Sequence, residues 1–324
     1  MPEKFARNLF VAAVAAASLT VGWPGSATAA TAPPSAHLSD ARIVQHFDLA
    51  GGRMPENIAL EPDGSVDLAF SAARQIARVT RDGSVRVLAT LPAPADGGTH
   101  TPALGFPLVT GLVRDAHGTL YLLYATGTAE LTGVWRLTPG GAPERIAALP
   151  ADGLPNGLAL DSGLLYVTDS VRGEVRRVPA GGGDATLWAD GPELAPAGFL
   201  GANGLKIHNG AVWVSNMDRG TLLRIPLRRN GTAGPAETRA EQLPGIDDFA
   251  FVGRGDRIVA ALDQSNQVAL VEPDGTHSIV LGARDGLQNP TAVAVRGDTV
   301  YVTSAAYLTE QDPNLLTARI RPRG

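Results

Sequence analysis

From Ile43 to Ile320 the chain alternates apolar and polar positions in runs of five to seven residues, broken by Gly, Asp and Asn. One unit shows the grammar. Asn156–Asp161 alternates, a tight turn follows, and Leu164–Asp169 (LLYVTD) is strongly β-prone. Glu174–Val178 is a third run, Gly181–Gly183 a Gly-rich turn, and Thr186–Ala189 a fourth run. Runs matching the second of these recur at Val66–Phe70, Leu120–Tyr124, Val212–Asn216, Ile258–Leu262 and Val300–Thr303. Their β-branched and aromatic content, bounded by turn residues, predicts strands. Asp82-Gly83 and Asp274-Gly275 fit hairpin turns. No stretch beyond the first thirty residues sustains a helical period.

The repeat has a fixed anchor. Glu56, Thr110, Asn156, Asn203, Asp247 and Thr291 each stand two residues before an alternation such as Ile58-Ala59-Leu60 or Leu158-Ala159-Leu160. The steps between anchors are 54, 46, 47, 44 and 44 residues. Spacings of that size, filled only with strands, predict an all-β six-bladed β-propeller. The last repeat has only three strand signals, Thr291–Val295, Val300–Thr303 and Leu316–Ile320, while Ile43–Leu49 precedes the first anchor without a partner. The expected solution is that this N-terminal strand closes the last blade and removes the open edges. Equivalent positions of all blades then face one axis, and the anchors form a ring of oxygen-bearing side chains.

Composition narrows the class. The chain has 324 residues, 44% hydrophobic and 18% charged, with a formal net charge of −5. Lys is nearly absent and no basic patch is present, so nucleic acid is not an expected partner. Lys4 and Arg7 precede an apolar run, Leu9 to Val21, and a small-residue pattern at Ala27-Thr28-Ala29. These predict a signal peptide over residues 1–29, hence a secreted or periplasmic protein free of the membrane after cleavage. Residues 30–41 are expected as a flexible leader, and 42–324 as one propeller domain. There is no cysteine. Disulfides, thiolate metal sites and a Cys nucleophile are excluded, and packing and strand pairing must hold the fold.

The ring carries the candidate chemistry. Glu56, Asn156, Asn203 and Asp247 offer two carboxylates and two amide carbonyls. Hard oxygen donors with few charges suit Ca²⁺ as the cofactor, with Mg²⁺ or Mn²⁺ as alternatives. Taken singly, an Asn before a Gly is ordinarily a turn residue tolerating a left-handed backbone; the shared register is what singles these out. Asp247 is the candidate general base or nucleophile. Thr110 and Thr291 complete the ring and are candidate substrate contacts. Two long segments, residues 92–109 and 191–202, run into anchors and so onto the face of the ring, where long loops commonly wall a site. His100 lies in the first and is a further candidate contact. Arg254-Gly255-Asp256 is expected to be a plain hairpin turn. Nucleotide-binding loops, nucleophile elbows and EF-hand loops are missing from the sequence.

The repeat resembles the SMP-30/gluconolactonase/LRE-like six-bladed propellers and is similar to diisopropyl fluorophosphatase, from about residue 43 to 321. The resemblance rests on Pro55-Glu56, Pro155-Asn156-Gly157, Ala202-Asn203-Gly204 and Gly245-Ile246-Asp247. It implies a divalent cation held by Glu56, Asn156, Asn203 and Asp247. This chain has Asp248 where the motif usually continues with Gly, so either of two adjacent carboxylates is a candidate to face the ion; strand alternation favours Asp247. The implied activity is metal-dependent hydrolysis of a small-molecule lactone or related ester by a monomer. A non-catalytic ligand-binding or sensing propeller with a structural ion is the main alternative, and a lyase or isomerase of secondary metabolism is a second.

Overall fold

The computed structural model describes residues 37–98 and 100–321. The expected signal peptide, and residues 30–36 of the expected leader, lie outside the described residues. β1 (His37–His46) opens the fold. Blade one is β2 (Pro55–Leu60), β3 (Val66–Phe70), β4 (Gln75–Val79) and β5 (Val85–Thr90). Blade two is β6 (Leu108–Arg114), β7 (Leu120–Ala125), β8 (Gly133–Leu137) and β9 (Glu144–Ala148). Blade three is β10 (Pro155–Asp161), β11 (Leu164–Asp169), β12 (Glu174–Pro179) and β13 (Thr186–Asp190). Blade four is β14 (Ala202–His208), β15 (Ala211–Asn216), β16 (Thr221–Pro226) and β17 (Glu237–Ala240). Blade five is β18 (Ile246–Phe251), β19 (Ile258–Leu262), β20 (Gln267–Val271) and β21 (His277–Leu281). Blade six takes β22 (Pro290–Arg296), β23 (Thr299–Ser304) and β24 (Asn314–Arg321).

The six four-stranded antiparallel sheets are the predicted blades, and blade six has the order β1-β24-β23-β22. The N-terminal strand therefore closes the last blade. It starts earlier than expected: pairing runs from His37 with Arg321 to His46 with Asn314. Residues 37–41, expected as part of the leader, are strand. Their alternation is hidden in sequence because Ser39, Asp40 and Arg42 lie on an exposed outer edge, where polar residues shield unpaired backbone groups.

The core is not central but distributed in the seams between blades. One apolar cluster joins Ile76 and Leu91 of blade one to Leu122 and Trp135 of blade two. Others join blades two and three through Leu123 and Val167, and three and four through Tyr166 and Val214. The ring continues with Trp213 and Phe249, then Leu270 and Val302, and closes with Leu68 and Leu315. Each sheet is thus buried on both faces, which is why second strands such as β7 and β15 are buried at every position and mostly apolar.

Candidate functional site

Every anchor occupies a β-bulge on the innermost strand of its blade. In blade three Pro155 pairs with Asp169 and the next pair is Leu158 with Val167, so Asn156 and Gly157 oppose Thr168 alone. The same two-against-one step falls at Asn203-Gly204 opposite Ser215, at Asp247-Asp248 opposite Ala261, and at Thr110-Gly111 opposite Leu123. In blades one and six the step leaves Glu56 and Thr291 as the extra residues. A bulge releases a side chain from the ladder and re-aims it. Here all six breaks lie at the same end of the inner strands.

The glycines after the anchors answer a steric demand rather than a turn. A Cβ on Gly157 would lie 2.3 Å from the Asn203 carbonyl oxygen, and one on Gly111 would lie 2.5 Å from that of Asn156. Neither Asn156 nor Asn203 has a positive φ. These residues are therefore not left-handed turn residues; adjacent blades approach so closely that only Gly fits.

The anchors divide into two kinds. Glu56, Asn156, Asn203 and Asp247 line a cavity of about 450 Å³. Thr110 and Thr291 do not. Both are fully buried, and each Oγ1 donates at 2.8 Å to a carbonyl of the next blade, Thr110 to Pro155 and Thr291 to Pro55. The expected substrate contact therefore gives way to a blade-to-blade tie, since both side chains are fully buried in the seams and neither lies on the cavity wall. At two of the remaining four seams a second-strand residue makes the tie. Thr168 Oγ1 donates to the Asn203 carbonyl and Ser215 Oγ to that of Asp247. His100 is also displaced from its expected role. It is exposed, bonds Asp96 at 2.7 Å within its own loop, and is not on the cavity wall. The long loop reaches the cavity through Leu104 and Phe106 instead.

Asp247 and Asp248 point apart. Asp247 lines the cavity, whereas Asp248 is held by Lys206 Nζ, 2.7 Å from its Oδ2. Alternation along the strand would place the two on opposite sides, and the Lys206 ammonium on blade four fixes which is which.

Two functional groups escaped the sequence reading. Tyr307, in the link from β23 to β24, donates its hydroxyl to Glu56 Oε2 at 2.6 Å. Asp263, directly after β19, adds a third carboxylate to the cavity wall. The residue directly following the second strand also reaches the wall in blade four, as Met217. That register was the available signal for Asp263; Tyr307 lies in an irregular link and carried none.

The electrostatics are one-sided. Among the described residues no Lys, Arg or His lines the cavity. Burial pushes Glu56 up to about 7, a rise opposed by the Tyr307 hydrogen bond and aided by Asp248. Asp263 rises to about 7 through burial, then through the charge of Glu56, with Asn289 opposing. Asp247 is held well above the usual carboxylate range by burial, then by Glu56, Asp263 and Asp248, with Lys206 opposing. Like charges in a desolvated space are relieved either by protonation or by a cation.

The donor set fits a cation. Asn203 Oδ1 is buried with no hydrogen-bond partner, while its Nδ2 faces the Met217 sulfur at 3.9 Å. A buried carbonyl oxygen without a donor is costly, and a cation at the ring would satisfy it. Asp263 Oδ1 is likewise buried without a partner. Among the described residues no three His, Cys, Asp or Glu side chains form a metal-holding group; the ring combines two acids with two amides. A larger depression of about 760 Å³ lies between blades six and one, lined by charged side chains such as Arg42, Arg81 and Asp82. It contains no anchor.

No family model matches the chain, and neither does any curated protein. Solved structures do. A calcium-binding regucalcin from Agrobacterium tumefaciens is similar with a TM-score of 0.64 at 17% identity, covering 88% of this chain and 95% of the other. A gluconolactonase from Xanthomonas campestris is similar at 0.58 and 16% identity, over 90% and 99%. A virginiamycin B lyase from Staphylococcus aureus, solved with quinupristin, is similar at 0.59 and 17% identity, over 83% and 82%. At these identities the likeness is one of fold: the chain is a six-bladed propeller whose fold is similar to that of the gluconolactonase and regucalcin structures.

Proposed function

We propose that the protein is a divalent-cation-dependent hydrolase of a lactone or related ester, of the SMP-30/gluconolactonase type. The observation that carries this reading is the convergence of Glu56, Asn156, Asn203 and Asp247 from four blades onto one cavity, with the Asn203 carbonyl oxygen left unpartnered. These four residues would hold the ion, with Ca²⁺ suited to the all-oxygen set. A cation there would supply Lewis-acid polarisation of a substrate carbonyl. Asp247 takes the proton of the attacking water as the new C–O bond forms, and returns it to the leaving alkoxide oxygen when the ester C–O bond breaks. Tyr307 holds Glu56 in place through its hydroxyl. The apolar wall excludes bulk water around the reacting carbonyl. With its signal sequence, the enzyme would act as a secreted or periplasmic monomer.

The test is a lactone and ester screen at saturating Ca²⁺, followed by Asp247→Asn. The amide retains an oxygen donor but no basic site. Turnover should fall roughly 10²–10⁴-fold while Ca²⁺ still binds by calorimetry. Full metal-saturated turnover in the variant would remove Asp247 as base.

A second reading, a propeller lyase, draws on the equal fold likeness to virginiamycin B lyase. Product analysis separates the two, since hydrolysis incorporates ¹⁸O from labelled water and elimination leaves a double bond.

A further inference from the structure

Seven apolar clusters occur among the described residues, and six of them fill the seams between blades. The seventh joins Leu108, Ala125, Leu154, Leu200 and Met217, with Leu104, Phe106 and Phe199 packed against it. Most of these side chains also line the cavity that contains the ring. The wall is built by the chain segments that exceed the repeat. The link from blade one to blade two supplies Leu104 and Phe106, the link into blade four supplies Phe199 and Leu200, and the β23–β24 link supplies Leu308. Phe106 packs toward Tyr307 with ring centroids 6.2 Å apart, so the wall runs continuously down to the hydroxyl that holds Glu56.

The polar groups of this cavity are confined to the ring, Asp263, Gln264 and Tyr307. The apolar part of the wall, formed among others by Leu104, Phe106, Phe199, Leu200 and Leu308, offers a polyhydroxylated substituent no hydroxyl, amide or cationic side chain, and a sugar hydroxyl buried there without a partner is penalised. Apolar substituents meet the opposite situation, because each methylene moved from water onto this wall is favourable. We infer that the site selects lactones or esters with an apolar alkyl or aryl substituent and discriminates against polyhydroxylated ones. This deepens the hydrolase reading above and rests on it for the reacting carbonyl. The substituent lies against Leu104, Phe106, Phe199, Leu200, Met217 and Leu308, and the carbonyl faces the ring.

The experiment has a turnover arm and a binding arm, both on the Ca²⁺-loaded protein. In the first, kcat/KM is measured for γ-butyrolactone, γ-hexanolactone, γ-decanolactone and glucono-δ-lactone. The expected result is a rise of roughly 3–4-fold per methylene until the wall is filled, with glucono-δ-lactone below γ-hexanolactone. In the second, calorimetry gives Kd for cyclopentanone and its 2-butyl and 2-hexyl derivatives, which have a ring carbonyl but no ester bond to cleave. The same gradient is expected. Phe199→Ser and Leu308→Asn should each flatten both gradients; Leu308 is 39% exposed, so its replacement leaves the seams intact even if Phe199→Ser folds poorly. A gradient in ketone binding with no turnover of any lactone would sink the hydrolase reading and sustain the apolar selectivity. A flat series in both arms, or preference for glucono-δ-lactone, would overturn the selectivity while leaving a hydrolase in place.

Discussion

The Tyr307 hydroxyl lies 2.6 Å from Glu56 Oε2 and joins residues 251 apart in sequence. The bond spans the closure of the ring, from the last blade to the first. It fixes one oxygen of a buried carboxylate and directs its remaining lone pairs to the cavity. Tyr307→Phe keeps the ring against Phe106 and loses only this donor. Ca²⁺ affinity by calorimetry should fall about 10–150-fold, the range of one hydrogen bond to a charged group. Unchanged affinity would mean that Glu56 is oriented by something else.

Stability should depend on pH in a direction opposite to that of ordinary paired carboxylates. Glu56 rises from 4.5 to about 7 and Asp263 from 3.8 to about 7, both chiefly through burial. The folded cation-free protein therefore holds protons that the unfolded chain releases. That stabilisation is full below about pH 4 and is lost as pH rises through about 7. In chelator, the contribution of these groups makes the unfolding midpoint fall between pH 5 and pH 8. Saturating Ca²⁺ should abolish that fall, since a cation favours the ionised forms. A chelated protein with no midpoint loss over this range that Ca²⁺ restores would contradict the arrangement.

Gly157→Ala tests the seam directly. Its Cβ would lie 2.3 Å from the Asn203 carbonyl oxygen, which must shift because both partners are backbone. Overpacking of this sort typically costs about 1–3 kcal/mol. The unfolding midpoint should drop, and Ca²⁺ affinity with it, because Asn156 and Asn203 flank the clash. Gly163→Ala is the control, with open space around a Cβ but a φ of +78°; it should lose stability with no loss of Ca²⁺ affinity.

Deletion of His37–His46 should open blade six. β1 pairs along β24, and Leu38, Ala41, Ile43 and Val44 pack against the seam clusters on either side. The loss should lower the midpoint by more than about 10 °C, since each kcal/mol is worth roughly 2–4 °C in a chain of this class. A smaller shift would mean that the remaining three strands hold the ring closed unaided.

Periodicity made the blade count, the six anchors and the closure legible, because a propeller writes its symmetry into the spacing of Glu56, Asn156, Asn203 and Asp247. It was less informative about what each anchor does. Thr110 and Asn156 occupy the same register, yet one ties a seam and the other faces the cavity. At Thr110 the anchor's own hydroxyl makes the seam bond, whereas beside Asn156 the seam bond is made by Thr168, a division that only the three-dimensional pairing reveals. Tyr307 and the cavity wall come from links of irregular length, where no period places a side chain. His100 misled for the same reason: the loop was correctly put on the ring face, but which of its residues turns inward depends on its own packing. The start of β1 was missed because register shifts between Ser39 and Arg42 and between Ile43 and Gln45 break the alternation of its apolar positions.

The bulges impose a limit on how many oxygens the axis can offer. A residue that belongs to no rung of its ladder can be exchanged without re-registering a strand, so each blade behaves as a socket. At three of the four sockets open to the cavity, a side chain from another position holds the adjoining seam. Thr168 and Ser215 do this for the seams beside Asn156 and Asn203, and Asn289 Nδ2 reaches the Asp263 carbonyl at 3.2 Å across the seam beside Asp247. At Thr110 and Thr291 the socket residue's own hydroxyl holds the seam instead. At Asn156, Asn203 and Asp247 the side chain that faces the cavity is freed by groups one layer out that never touch it.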